Sequence, residues 1–222
     1  QDFIFDISPE GNRPDAWSLL GIARDLASRF DTSVTDPAEP LALDGGNAVA
    51  TVRIDSPELC GALDVIEITG VSVTDSPRWM QRRLEQAGMR AVNNIVDASN
   101  YVMLERGQPT HPYDAALVAG RTIGVRQARN GELLRTLDGN DRTLGQPGRG
   151  LGDTGVDCVI VDGGDEVIGL AGIMGGESSE IRNTTVDVLL EVAFFDPMTI
   201  ARTSKRLGLR SEASHRFERG VH

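Results

Sequence analysis

The chain has 222 residues, with 22 basic against 33 acidic side chains and a formal net charge of −11. That sign excludes a protein that coats nucleic acid by bulk charge, so any such partner must meet a local basic surface or be held by another part of the molecule. Forty per cent hydrophobic residues support a sizeable core, 25 glycines and 10 prolines disfavour an all-helical bundle, and no apolar run is long enough to span a membrane.

In chain order, Phe3–Ile7 alternates and predicts a strand, followed by the turn from Pro9 to Pro14 with Asp15 placed to cap a helix. Leu19, Ile22, Ala23, Leu26, Ala27 and Phe30 recur at helical spacing and predict one apolar face. Residues 31–47 have no period and read as a loop, the expected site of proteolytic nicking, before a strand over Val49–Ile54. Val65–Val71 is a further strand. Ser76-Pro77 then reads as a cap and first turn, with Gly88 as the stop. Asn93 or Asn94 starts the next helix and Gly107 closes it. Ile123–Arg126, Leu133–Leu137 and Arg142–Leu144 are short strands, with Asn130-Gly131 and Asp138-Gly139 as turns. Cys158–Val161 and Val167–Ala171 pair around Gly163-Gly164, and Val186–Phe195 is a long apolar strand. Asp196-Pro197 opens a helix that Gly208 ends, and a last helix begins near Ser211. Strands cluster between helices instead of alternating strictly with them, so the class is α+β, with mixed and antiparallel sheets.

Four stretches carry candidate chemistry. The helix from Asn93 places Asn93, Asp97 and Asn100 on one side, either as a solvated face or as a polar wall of a pocket. Prolines at 109 and 112 restrict the backbone around His111, which reads as a histidine in a rigid loop. The glycine-rich run Gly172-Ile173-Met174-Gly175-Gly176-Glu177 lacks the Gly-Lys-[Ser/Thr] ending of a phosphate loop. It is a tight turn or a bare backbone that a substrate approaches closely. Glu191 interrupts the most apolar strand, and alternation groups it with Leu189, Ala193 and Phe195. It therefore faces water or lies in a pocket, where burial without a partner would cost several kcal/mol.

Basic charge gathers in two places. Residues 197–222 hold Arg202, Lys205, Arg206, Arg210, Arg216 and Arg219 against two glutamates, and residues 77–90 hold Arg78, Arg82, Arg83 and Arg90 against one. These are ordinary solvated helix faces or the places for a phosphate backbone. Neither His215 and His222 nor the lone Cys60 and Cys158 give metal-ligand spacing, and two isolated cysteines suit a reducing cytosol. Gln1 opens the chain with no methionine or signal-like stretch, so the chain reads as an excised piece of a longer one.

Six segments occur in the order of a known family: Asn12-Arg13-Pro14-Asp15, Asn93 to Asp97 with Asn100 to Met103, Gly107 to His111, Ala171 to Glu177, Leu189-Leu190-Glu191, and Ser211 to Gly220. Together they resemble the editing region of the bacterial phenylalanyl-tRNA synthetase β subunit, across its third and fourth domains. The resemblance implies that residues 1–222 form one compact editing domain of two interlocked lobes. Its function would be to hydrolyse the ester of mischarged tyrosyl-tRNA(Phe), the alternative being a non-catalytic tRNA-binding or subunit-assembly module. A second sieve is needed because an apolar pocket rejects an added hydroxyl by only ~10²-fold.

By resemblance, Glu191 recognises the tyrosyl hydroxyl, and Gly172 and Gly175 line the amino-acid pocket, with the substrate-binding Ser211 and Ala213 near them. His111 and Asn100 hold the ester and terminal adenosine, Arg90 helps place the tRNA end, and Ser99 stands where the family often has threonine. Implied partners are the tRNA(Phe) acceptor end, the rest of the β subunit and the α subunit, in the cytoplasm and away from membranes. No cofactor is implied for this fragment, since ATP and magnesium serve the parent synthetase elsewhere. On this reading Glu191→Ala removes a buried charge and leaves the fold at least as stable.

Overall fold

The computed structural model describes residues 3–36, 38, 50–148 and 154–220. Two sheets carry most of the architecture, and the chain passes back and forth between them. β1 (Thr51–Ile54) joins the first sheet, β2 (Cys60–Ile68) and β3 (Thr110–Asp114) the second, and β4 (Thr122–Gln127), β7 (Cys158–Val161), β8 (Val167–Leu170) and β9 (Met174–Gly175) return to the first. β10 (Val188–Phe195) then enters the second sheet between β2 and β3. The five-stranded sheet has the order β1-β4-β7-β8-β9, parallel only between β1 and β4; the three-stranded one is antiparallel throughout. β5 (Glu132–Arg135) and β6 (Asp141–Leu144) form a separate hairpin. This is the α+β class with mixed and antiparallel sheets.

The two sheets share one apolar core. Val125, Val159, Ile160 and Val161 from one and Tyr113, Leu189 and Phe195 from the other are buried in the same cluster. Because the chain enters each sheet more than once, no short segment completes either sheet by itself.

Among the described residues there are also five α-helices: α1 (Leu19–Phe30), α2 (Arg78–Gln86), α3 (Asn94–Arg106), α4 (Pro197–Leu207) and α5 (Glu212–Phe217). Their ends follow local chemistry. The Asn93 side chain accepts from the Ile95 and Val96 N–H groups at the start of α3, and Gly107 ends it at φ 86°. Asp196 accepts from the Thr199 N–H to open α4, with proline in its first turn, and Gly208 ends it at φ 64°. Ser211 opens α5 through a reciprocal pair of bonds with Ser214.

Several expectations are corrected. Phe3–Ile7 forms no strand, and Phe3 and Phe5 are 78% and 83% exposed: the alternating pattern meets no neighbouring strand among the described residues. Asp15 does not cap α1 but lies in a single 3₁₀ turn, and the cap is Ser18, whose Oγ accepts from the Gly21 N–H at 3.0 Å. The apolar face expected on α1 is exposed at Leu19, Leu26 and Phe30. Ser76 does not cap α2; its hydroxyl donates to the buried Asp97 at 2.5 Å. The strand expected at 65–71 is β2 at 60–68. Residues 109–114, read as a rigid loop, include the edge strand β3. Much of the loop expected at 31–47, and Val49 after it, lie outside the described residues, as does His222.

Candidate functional site: a buried carboxylate lining a cavity between the sheets

A cavity of about 70 Å³ opens where β3 and β10 face the β8–β9 turn and α5. It has room for several waters. Its walls include Thr110, His111, Tyr113 and Glu191 on one side, the run Gly169–Gly175 on the other, and Ala213 and Phe217 from α5.

Register explains the first wall. Glu191 pairs with His111, and Leu189 with Tyr113, across β10 and β3. Alternation therefore puts His111, Tyr113, Leu189, Glu191 and Ala193 on one face. Leu189, Ala193 and Phe195 on that face are buried, and Glu191 is only 6% exposed. The expected grouping of Glu191 with its apolar neighbours is what the strand adopts, and Glu191 does not face water.

Glu191 is not alone. The Tyr113 hydroxyl, on a side chain 1% exposed, donates to Glu191 Oε2 at 2.6 Å. Among the described residues no donor reaches Oε1. Burial pushes the Glu191 carboxyl up to about 7, with the Tyr113 hydrogen bond pulling the other way. The expectation that removing Glu191 leaves the fold at least as stable therefore fails: truncation strands a buried phenol.

His111 meets Tyr113 edge-on, with ring centroids 4.5 Å apart and planes at 70°. Its ring keeps some surface along the cavity, but the walls strip enough water to push it down to about 4. It is neutral at ordinary pH and retains a lone pair.

The glycines of the second wall are there for space. A Cβ on Gly175 would lie 2.5 Å from His111 Nε2 and closer still to Cε1, so only glycine lets the imidazole rest on this backbone. Gly172 has φ +65° at the tip of the turn closed by the Ile173 N–H to the Leu170 carbonyl, and a Cβ there would meet Phe217, Phe195 and Ile200 at 2.9–3.2 Å. That turn's hydrogen bond leaves the Gly172 N–H outside it.

His111, Glu191, Gly172, Gly175 and Ala213 thus line one cavity, although they span more than a hundred positions of sequence. Ser99, Asn100, Arg90 and Ser211 are not among its lining residues. Ser99 ties α3 to β3 through the Thr110 carbonyl at 2.8 Å and hydroxyl at 2.7 Å, so it braces the cavity's edge, and Asn100 follows it on the helix, half-buried. Ser211 caps α5 and donates to the Ile173 carbonyl at 2.7 Å, fastening α5 to the glycine turn. Arg90 is exposed beyond α2. Asp97, from the predicted polar stripe, is fully buried and accepts from Ser76 and from the Val92 N–H at 2.8 Å, so it is structural.

The basic clusters divide similarly. Arg206 pairs with the buried Asp157, and Arg216 bonds Glu212 and the Trp17 carbonyl, whereas Arg202, Lys205 and Arg210 are exposed. On α2, Arg83 donates to the Tyr101 hydroxyl at 2.5 Å and lies over Trp79, beside the exposed Arg78 and Arg82. Tyr113 is the residue that the sequence reading missed. Its signal was the two-residue spacing from His111, visible only once 110–114 is recognised as a strand. Among the described residues, no group of three or more His, Cys, Asp or Glu is placed to hold a metal, and no helix is long and apolar enough to cross a membrane.

Known proteins share this sequence along its length. The Geobacter sulfurreducens phenylalanine–tRNA ligase β subunit is 47% identical over 100% of this chain and 27% of its own length, and that of Anaeromyxobacter dehalogenans is 46% identical over 99% and 26%. The chain thus spans about a quarter of the length of these curated relatives. A solved N-terminal fragment of the phenylalanyl-tRNA synthetase β subunit from Pyrococcus horikoshii is similar with a TM-score of 0.49 and 16% identity, over 90% of this chain and 60% of that one. The B3/4 domain model matches residues 60–222, which contain every wall of the cavity, and the chain belongs to that family.

Proposed function

We propose that this chain is the editing domain of a phenylalanine–tRNA ligase β subunit and hydrolyses the ester of tyrosyl-tRNA(Phe), with residues 1–222 acting as one unit. The observation that carries this reading is Glu191: a buried carboxylate lining the cavity, with one oxygen held by Tyr113 and the other without a donor among the described residues. A tyrosyl phenol entering the cavity donates to Oε1. A phenylalanyl ring leaves that oxygen desolvated without a donor, the arrangement by which polar sites reject an isostere lacking a hydroxyl.

Gly172, Gly175 and Ala213 give the aminoacyl group backbone and small side chains to approach. His111, neutral at working pH, orients the attacking water through its lone pair, helped by the Gly172 N–H and the ribose hydroxyl of the substrate. Asn100 and Ser99, on the helix bracing the cavity edge, and Arg90 beyond α2 guide the terminal adenosine, and Ser211 acts by holding α5 against the glycine turn. The partners are the tRNA(Phe) acceptor end, the rest of the β subunit and the α subunit. This chemistry needs no cofactor here, and the setting is the cytoplasm.

The test is deacylation of tyrosyl- and phenylalanyl-tRNA(Phe) by the synthetase carrying wild-type or Glu191→Ala subunits. A charge-assisted hydrogen bond is worth about 1.5–3 kcal/mol, so tyrosyl preference should fall about ten- to a hundredfold. The variant should also lose about 1–3 kcal/mol of stability through the stranded Tyr113 hydroxyl. Unchanged selectivity would sink the reading. The exposed Phe3, Phe5, Leu26 and Phe30 favour a second reading, a subunit-assembly module with a vestigial pocket. Absence of tyrosyl-tRNA hydrolysis by the wild-type enzyme would leave that one standing.

A further inference from the structure

Two tyrosine phenols compete for meaning in this site: the one in the proposed substrate and the chain's own Tyr113. Tyr113 lies on the edge strand β3, on the face and beside the rung that carry His111 and Glu191, and its hydroxyl donates to Glu191 Oε2 at 2.6 Å. Its ring is held edge-on by His111. A Cβ on Gly169 would stand 3.5 Å from the hydroxyl, so β8 leaves ordinary contact room there and nothing pushes the phenol off the carboxylate.

We propose that Tyr113 is the positioning residue for Glu191: it occupies Oε2, fixes the carboxylate plane and presents Oε1 to an incoming phenol. This deepens the editing reading and rests on it, and it assigns the phenol one of two opposite roles. A positioning phenol aids tyrosyl recognition. A plug occupying the place of the substrate phenol would hinder it.

The geometry favours positioning. A carboxylate has two oxygens and roughly four lone-pair sites, so one donor on Oε2 leaves Oε1 with full accepting capacity. Tyr113 is also anchored by the β3 backbone in the sheet and cannot leave without opening that edge. In addition, its hydrogen bond favours the ionised carboxylate against the burial that disfavours it. The other titratable groups that bear on Glu191 among the described residues are His111 on β3, Cys60 at the start of β2 and Cys158 on β7 of the facing sheet, and burial keeps all three neutral near pH 7. From α5 the cavity receives Ala213 and Phe217, which do not titrate. Tyr113 is thus the described side chain that donates to this carboxylate.

The experiment compares wild-type, Tyr113→Phe, Glu191→Gln and double-variant synthetases in deacylation of both charged tRNAs across roughly pH 5.5 to 9. Losing the donor should reduce the tyrosyl-over-phenylalanyl ratio about tenfold at pH 7 and move the acid limb of the tyrosyl reaction upward by about one pH unit. On the Glu191→Gln background the same change should move no limb, which a merely structural role for Tyr113 would not produce. An unchanged ratio and limb overturn the proposal, and faster tyrosyl hydrolysis by Tyr113→Phe overturns it in favour of a plug. If the wild type shows no tyrosyl preference at all, the editing reading fails separately. The proposal is then decided by ¹³C NMR titration of the Glu191 carboxyl in this chain: an upward move in Tyr113→Phe supports it, and no move overturns it.

Discussion

Gly175→Ala should displace the His111 ring and abolish most of the proposed hydrolysis while leaving the fold intact. Gly175 does not have a positive φ, so alanine introduces no backbone strain, and the conflict is chiefly with the ring, with a lesser one at Leu137 Cδ1, 3.2 Å away. A Cβ at 2.5 Å from Nε2 must retreat to an ordinary contact of about 3.5 Å, so the imidazole moves by about 1 Å. The Tyr113 ring, its centroid 4.5 Å from that of His111, restricts the movement on one side. Overpacking of this kind costs about 1–3 kcal/mol, and a 1 Å misplacement of a positioning group costs about 10²-fold in rate. Gly169 supplies a matched control, because it pairs with Gly175 across β8 and β9. A Cβ at Gly169 meets Tyr113 and Ile160 at 3.5–3.6 Å, so Gly169→Ala should change stability by less than about 1 kcal/mol. Thermal unfolding of both variants, the His111 ring resonances and tyrosyl-tRNA deacylation read the difference. Equal stability losses in the two variants, or full hydrolysis by Gly175→Ala with a shifted ring, would refute the reasoning.

Two further outcomes follow from the same geometry. Glu191, raised to about 7 from an ordinary 4.5, binds its proton more tightly when folded, so its contribution to stability is lost as pH rises between those values. His111, lowered to about 4 from 6.5, does the reverse, and its contribution grows over nearly the same interval. Each amounts to at most about 3 kcal/mol, so wild-type stability should be nearly flat from about pH 4 to 7. Glu191→Gln should then reveal a rise with pH and His111→Gln a fall, measured as urea midpoints, and parallel slopes in the two variants would contradict the assignment. Separately, Asp97→Ala should lower stability by about 2–3 kcal/mol, since it strands the buried Ser76 hydroxyl and the part-buried Val92 N–H, with tyrosyl-over-phenylalanyl selectivity unchanged. A selectivity change in that variant at full stability would return Asp97 to the site.

What could be read from sequence was whatever local chemistry decides. Asn93 and Gly107 bound α3, Asp196-Pro197 and Gly208 bound α4, and Ser211 opens α5, because capping and positive φ are properties of a few neighbouring residues. The two-residue period of Val188–Phe195 likewise placed Glu191 among buried neighbours. What could not be read depends on distant partners. Prolines at 109 and 112 argued for a loop, yet β3 is an edge strand, where a missing N–H can face away from the sheet. Missing β3 meant missing Tyr113, and with it the donor that Glu191 requires. Phe3–Ile7 erred the other way: its alternation is clear, but period alone supplies no neighbouring strand. Asp97 is neither the solvated face nor the pocket wall that the polar stripe allowed, because a stripe does not say that Ser76, just before α2, bonds it in the interior.

The cavity wall uses burial twice, with opposite consequences for its two titratable neighbours. Glu191 and His111 occupy one rung of the same sheet, and in water between about pH 4.5 and 6.5 they would be a carboxylate and an imidazolium. Here the loss of water disfavours both charges, so over that interval the rung holds two neutral groups. An ion pair would have closed the cavity from within, each group satisfying the other. A neutral His111 keeps its lone pair, and as pH rises through about 7 Glu191 gives up its proton and becomes the carboxylate whose Oε1 has no donor. The device holding that state is the surrounding core itself: Leu189, Ala193 and Phe195 on the same strand exclude the water that would charge the pair. The apolar run that makes β10 the centre of its sheet is therefore also what sets the chemistry of the site, and a polar substitution at Leu189 or Ala193 acts on both at once.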